Sequence, residues 1–140
     1  MLTNRRTIHI EWGDCDPAGI VYYPRFFEWF DESTGALFEA AGLKKWDLVR
    51  ERGIVIPMVD TRARFLLPSR FGENVEIESK ITRFGRSSFD GHHRMLKGTE
   101  LAAECFETRV WTSMEPHGPM HMKAQAIPAE VIESLSRDKT

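Results

Sequence analysis

Two carboxylates two residues apart, Asp14 and Asp16, stand in a run punctuated by glycine and proline: Trp12-Gly13-Asp14-Cys15-Asp16-Pro17-Ala18-Gly19-Ile20-Val21-Tyr22-Tyr23-Pro24. A strongly amphipathic segment follows at once. Pro24 suits its first turn, where a missing N–H costs nothing. The run therefore reads as an acidic turn leading into a helix N-terminus, where exposed backbone N–H groups and the macrodipole favour negative charge. A carboxylate beside such donors has the parts for attack on a carbonyl: a base or nucleophile, and a place for the oxyanion. Asp16 is the candidate for that role, although Asp before Pro is equally at home in a plain turn. Asp14 is the candidate to cap or brace the loop, and would raise the pKa of Asp16 if the two carboxylates were close.

The remaining reactive side chains offer less. His92 and His93 are adjacent in an alternating segment, so they point to opposite faces and do not share a metal. His117 and His121 have i,i+4 spacing, but Gly118 and Pro119 break the helix that a zinc pair of this spacing needs. Cys15 has no histidine near it in sequence and reads as packing. Cys15 and Cys105 match no CxxC pattern, which points to reduced thiols in a cytoplasmic protein. No metal and no redox cofactor is expected.

The elements that position the loop follow from periodicity. Arg6 to Trp12 alternates, with Ile8, Ile10 and Trp12 on one side, and predicts a half-buried strand. From Phe26 to Ala41 the period becomes helical. At about 100° per residue, Phe26, Phe27, Phe30, Leu37, Phe38 and Ala41 form one stripe, with Glu28, Glu32 and Glu39 opposite on a solvated face. Asp31 falls at the stripe's edge, which leaves both a pocket and a surface role open. Gly42 ends the helix. Lys44 to Arg52 predicts a short helix stopped by Gly53. Thereafter the period is two: a long strand over Ile54 to Leu67, with Val59, Thr61, Ala63, Phe65 and Leu67 on one face, then Val75 to Phe84, Ser88 to Lys97 and Leu101 to Ser113. Pro68 to Gly72, Gly85-Arg86 and Lys97-Gly98-Thr99 punctuate them. Pro128 to Leu135 predicts a short terminal helix. One long apolar-faced helix and alternating strands are both satisfied by a sheet wrapped over the helix, an α+β layer architecture.

Residues 1–140 suit one domain, since a chain of this length buries roughly 70% of its unfolded surface. A formal net charge of −2 gives no bulk attraction to nucleic acid or anionic membrane. No apolar run approaches the roughly 20 residues of a membrane span, and Met1 to Arg6 lacks the apolar core of a secretory signal.

The run from Asp14 to Pro24, with the Phe-rich helix after it, resembles the hot-dog thioesterases of the 4-hydroxybenzoyl-CoA thioesterase type. The likeness continues through Gly53-Ile54-Val55, the hairpin from Ile81 to Phe89 and Ala126-Ile127-Pro128. It implies a hot-dog fold, an antiparallel sheet wrapped around a long central helix. It also implies dimers joined sheet edge to sheet edge, often paired into tetramers, that hydrolyse acyl-CoA at sites between subunits, with CoA as part of the substrate. By the same resemblance Asp16 matches the catalytic carboxylate. Tyr23 matches the position whose backbone N–H polarises the thioester carbonyl. Gly19 belongs to the loop motif, and Asp31 matches a helix acid near the far end of an aryl pocket. The family's basic hairpin, where CoA phosphates lie, is reduced here to Arg86, with Arg83 beside it. The implied reaction is hydrolysis of a benzoyl- or hydroxybenzoyl-type acyl-CoA, with Asp16 as nucleophile or general base. Alternatives are a thioesterase for short aliphatic acyl-CoA or acyl-carrier-protein thioesters, and a non-catalytic acyl-CoA-binding module. A hot-dog dehydratase typically needs a histidine paired with an acid, and none lies in the loop or on the helix.

Overall fold

The computed structural model describes residues 1–114 and 122–138, so His117 and His121 lie outside the described residues. Helix α1, Pro24–Ala40, begins at the expected proline. It ends in a Schellman closure: Gly42, at φ +79°, bonds the Glu39 carbonyl at 3.0 Å, and Leu43 bonds the Phe38 carbonyl at 2.8 Å. Phe26, Trp29, Phe30, Leu37 and Phe38 are buried, and Glu28, Glu32 and Glu39 are exposed, as the periodicity requires.

In chain order the other elements are β1 (Thr3–His9), α2 (Lys45–Asp47), β2 (Ile54–Val55), β3 (Met58–Phe65), β4 (Asn74–Phe84), β5 (Ser88–Lys97), β6 (Glu100–Val110), β7 (Thr112–Met114), β8 (Met122–Ala124) and α3 (Ala129–Ser136). Five strands form the main antiparallel sheet in the order β1-β4-β5-β6-β3, and β2-β7-β8 form a small second sheet. The N-terminal half of α1 packs on Ile8, Ile77 and Met95. Its C-terminal half packs on Ile81, Phe89 and Trp111, with Val131 and Leu135 of α3.

Four boundaries differ from the periodicity. The first strand leaves the sheet before Trp12, because Glu11 donates its N–H to Asp14 Oδ2 at 2.9 Å and turns the chain. Trp12 is 72% exposed and meets Phe71 edge-on. The strand expected over Ile54 to Leu67 is split at Ile56-Pro57. Proline brings no N–H to a ladder, and the chain crosses there from the small sheet to the main one. On the face shared by Val59, Thr61, Ala63, Phe65 and Leu67, Ala63 and Leu67 pack on the core, but β3 is an edge strand and Val59 is 61% and Phe65 47% exposed. The strand over Leu101 to Ser113 divides at Trp111, whose N–H turns to the Ser87 carbonyl at 2.7 Å. The helix expected over Lys44 to Arg52 is the three-residue α2, followed by a widened turn over Leu48–Arg52 that ends at Gly53, φ +62°.

Candidate active site

Residues 15–21 make a small hairpin. Cys15 and Val21 are bridged, and Asp16 donates its N–H to the Ile20 carbonyl at 2.9 Å. At the tip, Gly19 returns its N–H to the Asp16 carbonyl at 2.9 Å with φ +81°, a backbone state that a Cβ would strain. Asp16 Oδ1 accepts the Ala18 N–H at 2.8 Å. One carboxylate oxygen therefore builds the turn, and Oδ2 has no hydrogen-bond partner among the described residues. The turn role and a chemical role are compatible because they use different oxygens.

Asp14 braces the loop. Its carbonyl accepts the Tyr22 N–H at 2.8 Å, its carboxylate takes the Glu11 N–H, and Arg25 Nε lies 3.7 Å away. The hairpin is tied to the strand side by Val21 N–H on the Ser69 carbonyl at 2.8 Å. Cys15 packs at the margin of the apolar core, as expected.

Tyr23 is the N-cap of α1 and already has helical dihedrals, φ −55° and ψ −32°. Tyr22 spends its N–H on Asp14, Pro24 has none, and Arg25 and Phe26 bond back to Tyr22 and Tyr23. The Tyr23 N–H is left without an acceptor among the described residues, at the positive end of the helix dipole. An apolar cleft of about 340 Å³ opens beside it, lined by Val21, Phe26, Phe65 and Leu66 among others. Tyr23, Phe27, Asp31 and Gly35 follow at four-residue steps and so lie along one inclined row of α1.

The Asp31 side chain is 57% exposed, yet it is tied to a buried network. Its Oδ1 accepts Arg109 Nη2 at 2.7 Å and lies 3.6 Å from Lys45 Nζ, while Oδ2 is open. Burial pushes its pKa up, but the hydrogen bond and charge of Arg109 and the charge of Lys45 outweigh it, so the carboxyl is held below its ordinary range. Arg109 is itself 4% exposed. It donates to Glu107 through Nε at 3.0 Å and Nη2 at 3.3 Å, and to the Ile56 carbonyl at 3.1 Å. Glu107, equally buried, also takes the Thr34 hydroxyl and faces His93 Nε2 at 3.4 Å. Burial would raise its pKa, yet His93 and Arg109 pull it down to about 2. His93 Nδ1 meets Ser79 Oγ at 2.6 Å, and its ring stacks on Phe30. His92 diverges to the other face, against Glu104 and Phe106.

The periodicity argument passed over Glu107, Arg109 and Lys45, and weighed His93 only as a metal ligand. A signal existed along β6 and into the residue after it: Cys105, Glu107, Arg109 and Trp111 alternate in core phase, so two opposite charges stand where apolar residues belong.

The structure does not bring Arg83 and Arg86 to the Asp16 loop of the same chain. Their hairpin packs by Phe89 on Phe38, about 20 Å along α1 from Pro24. Arg83 is engaged by Asp90 at 2.9 Å, whereas the exposed Arg86 side chain makes no ion pair among the described residues. No helix among the described residues is long and apolar enough to cross a membrane.

A family model described as the thioesterase-like superfamily matches residues 10–135. The chain is 34% identical over 134 residues to 4-hydroxybenzoyl-CoA thioesterase of Pseudomonas sp. (strain CBS-3), covering 91% of this chain and 93% of that one. It is 30% identical over 87 residues to 1,4-dihydroxy-2-naphthoyl-CoA hydrolase of Synechococcus elongatus, covering 61% of this chain and 64% of that one. Among solved structures, an aspartate-to-asparagine mutant of 4-hydroxybenzoyl-CoA thioesterase complexed with 4-hydroxybenzoyl-CoA superposes with a TM-score of 0.89. That pair is 32% identical, and the match covers 97% of this chain and 100% of that one.

Proposed function

This chain belongs to the thioesterase-like superfamily and has the hot-dog fold, and on that premise we propose that it hydrolyses an aromatic, benzoyl- or hydroxybenzoyl-type acyl-CoA to the free acid and CoA. The observation that carries the reading is the pairing of an uncommitted Asp16 oxygen with an uncommitted Tyr23 N–H on one loop-to-helix junction. The thioester carbonyl oxygen accepts the Tyr23 N–H, a donor worth about 3–4 kcal/mol to the transition state. Asp16 Oδ2 either attacks the carbonyl carbon, forming a mixed anhydride as CoA thiolate departs, or takes a proton from the attacking water. In the first case water then cleaves the anhydride and restores the carboxylate. A thiolate leaves without a strong general acid.

The acyl class rests on Asp31 and on the names of the relatives, which specify hydroxylated aromatic acyl groups. Asp31 lies about 12 Å along α1 from Tyr23, a span that a hydrogen bond at each end and an aryl ring of about 6 Å fill. CoA phosphates fall to Arg86 of a second copy, because Arg86 is remote from Asp16 within one chain. A dimer pairing the unpaired β3 edges supplies that copy and covers Val59 and Phe65.

Release of CoA thiol from 4-hydroxybenzoyl-CoA, benzoyl-CoA and short aliphatic acyl-CoAs tests the proposal. Aryl turnover that disappears in Asp16→Asn, with the melting temperature retained, supports it. Turnover of aliphatic substrates alone reassigns the acyl class, and full activity in Asp16→Asn removes Asp16 from the reaction.

A further inference from the structure

Lys45 takes no part in the steps above. Its stem crosses α1 at Gly35, where an added Cβ would stand 3.8 Å from Lys45 Cδ and Cε. This path carries Nζ to 3.6 Å from Asp31 Oδ1. Lys45 also lines a cavity of about 380 Å³ whose other walls are apolar, chiefly Leu48, Ile54, Ile56 and Met114. No other charged or hydroxyl side chain among the described residues lines it.

Among the described residues the cavity thus has one cation at its wall, with an anion beside that cation. An ammonium has three N–H donors, and Asp31 is the one partner recorded for Lys45 among the described residues. Asp31 keeps Oδ2 open because Arg109 and Lys45 both lie on Oδ1. A hydroxyl oxygen accepts from Lys45 and donates to Asp31, and so satisfies both groups. A bare aromatic ring satisfies neither. A carboxylate has no proton for Asp31 and is repelled by it.

We infer that Lys45 is a specificity-determining residue: it donates to a ring hydroxyl of the acyl group in this cavity while Asp31 accepts from the same hydroxyl. The inference rests on the thioesterase reading and adds to it the group that reads the substituent. Burial lowers the pKa of Lys45, against the pull of Asp31; its side chain is 34% exposed and that of Asp31 57%, so a bound ring must itself displace water from the pair.

Binding of two thioether analogues, 4-hydroxybenzyl-CoA and benzyl-CoA, measured by calorimetry on the intact protein, tests this. The wild type is expected to prefer the hydroxylated analogue by roughly 10- to 100-fold, the worth of a hydrogen bond to a charged group. Lys45→Met should bring that ratio toward one, and Lys45→Arg should retain most of it. A wild-type ratio near one, or a ratio that survives Lys45→Met, overturns the assignment. No bond breaks in this assay, so its failure is distinct from a failure of hydrolysis, which thiol release from the matching thioesters decides.

Discussion

Replacing Arg109 by Met is expected to cost the fold more than any surface ion pair would. Arg109 is 4% exposed and donates to Glu107, Asp31 and the Ile56 carbonyl. Its removal leaves Glu107 buried with the Thr34 hydroxyl and His93 as its remaining recorded side-chain partners. Breaking a buried pair from one side costs about 3–5 kcal/mol, which for a chain of this size is roughly 10–15 °C in Tm. The pH dependence carries the sign. Glu107 titrates near 2 when folded against an ordinary 4.5. Its wild-type contribution, about 3 kcal/mol, is present above pH 4.5 and is lost as pH falls from there through 2. In Arg109→Met the Arg109 share of the pull on Glu107 is lost while His93 keeps the larger share, so its pKa rises and acid neutralises a buried charge with fewer partners. The Tm gap between wild type and variant should therefore be widest near neutral pH and should narrow toward pH 3.5. Scanning calorimetry at both pH values measures it. A gap of less than about 1 kcal/mol at pH 7, or one that does not change with pH, would refute the argument.

Two further outcomes follow from the same geometry. Arg86→Ala should raise KM for an acyl-CoA several-fold with kcat little changed, whereas Arg83→Ala, whose guanidinium is already engaged by Asp90, should change KM less; steady-state kinetics of both variants decides this. Val59→Lys, at a 61% exposed site on the β3 edge, should leave the monomer folded but weaken self-association. Sedimentation velocity showing unchanged oligomers at equal concentration would remove that edge from the interface.

What was legible in the chain was legible for physical reasons. The Phe-rich stripe and Pro24 located α1 to within two residues, because a helix with one apolar face and clear ends leaves little choice of phase. The strand pairs β4–β5 and β5–β6 were equally plain, since Gly85 and Gly98 mark turns between alternating runs. The Asp16 loop was visible as a motif, yet the fact that one oxygen of Asp16 is spent on Ala18 emerges only from coordinates. β3 was legible only in part: the residues that share one face do meet the core at Ala63 and Leu67, but alternation does not show that Val59 and Phe65 stay exposed on an edge strand. An edge strand with unpaired backbone groups is a template for pairing with another chain, and that property belongs to the sheet order, not to the alternation.

The polar core was illegible for a different reason. Alternation treats charge as a marker of the outside, so Glu107 and Arg109 on the inward phase of β6 look like noise in an otherwise regular strand. Burying a charge is costly unless it is paired and hydrogen-bonded. Two opposite charges in core phase, two residues apart, therefore predict each other and a third partner. Here that partner is Asp31 on α1, and through it Lys45. The same network that ties the helix to the sheet fixes the ionisation of Asp31, which keeps Oδ2 free. On the proposed reading, the packing of β6 on α1 and the preference for a hydroxylated ring share a cause. Thr34→Val, which removes a hydroxyl from Glu107 without touching Asp31, should lower Tm yet leave the 4-hydroxybenzyl-CoA to benzyl-CoA affinity ratio intact. Loss of that ratio in Thr34→Val would mean that the buried network as a whole, and not Asp31 with Lys45, sets the preference.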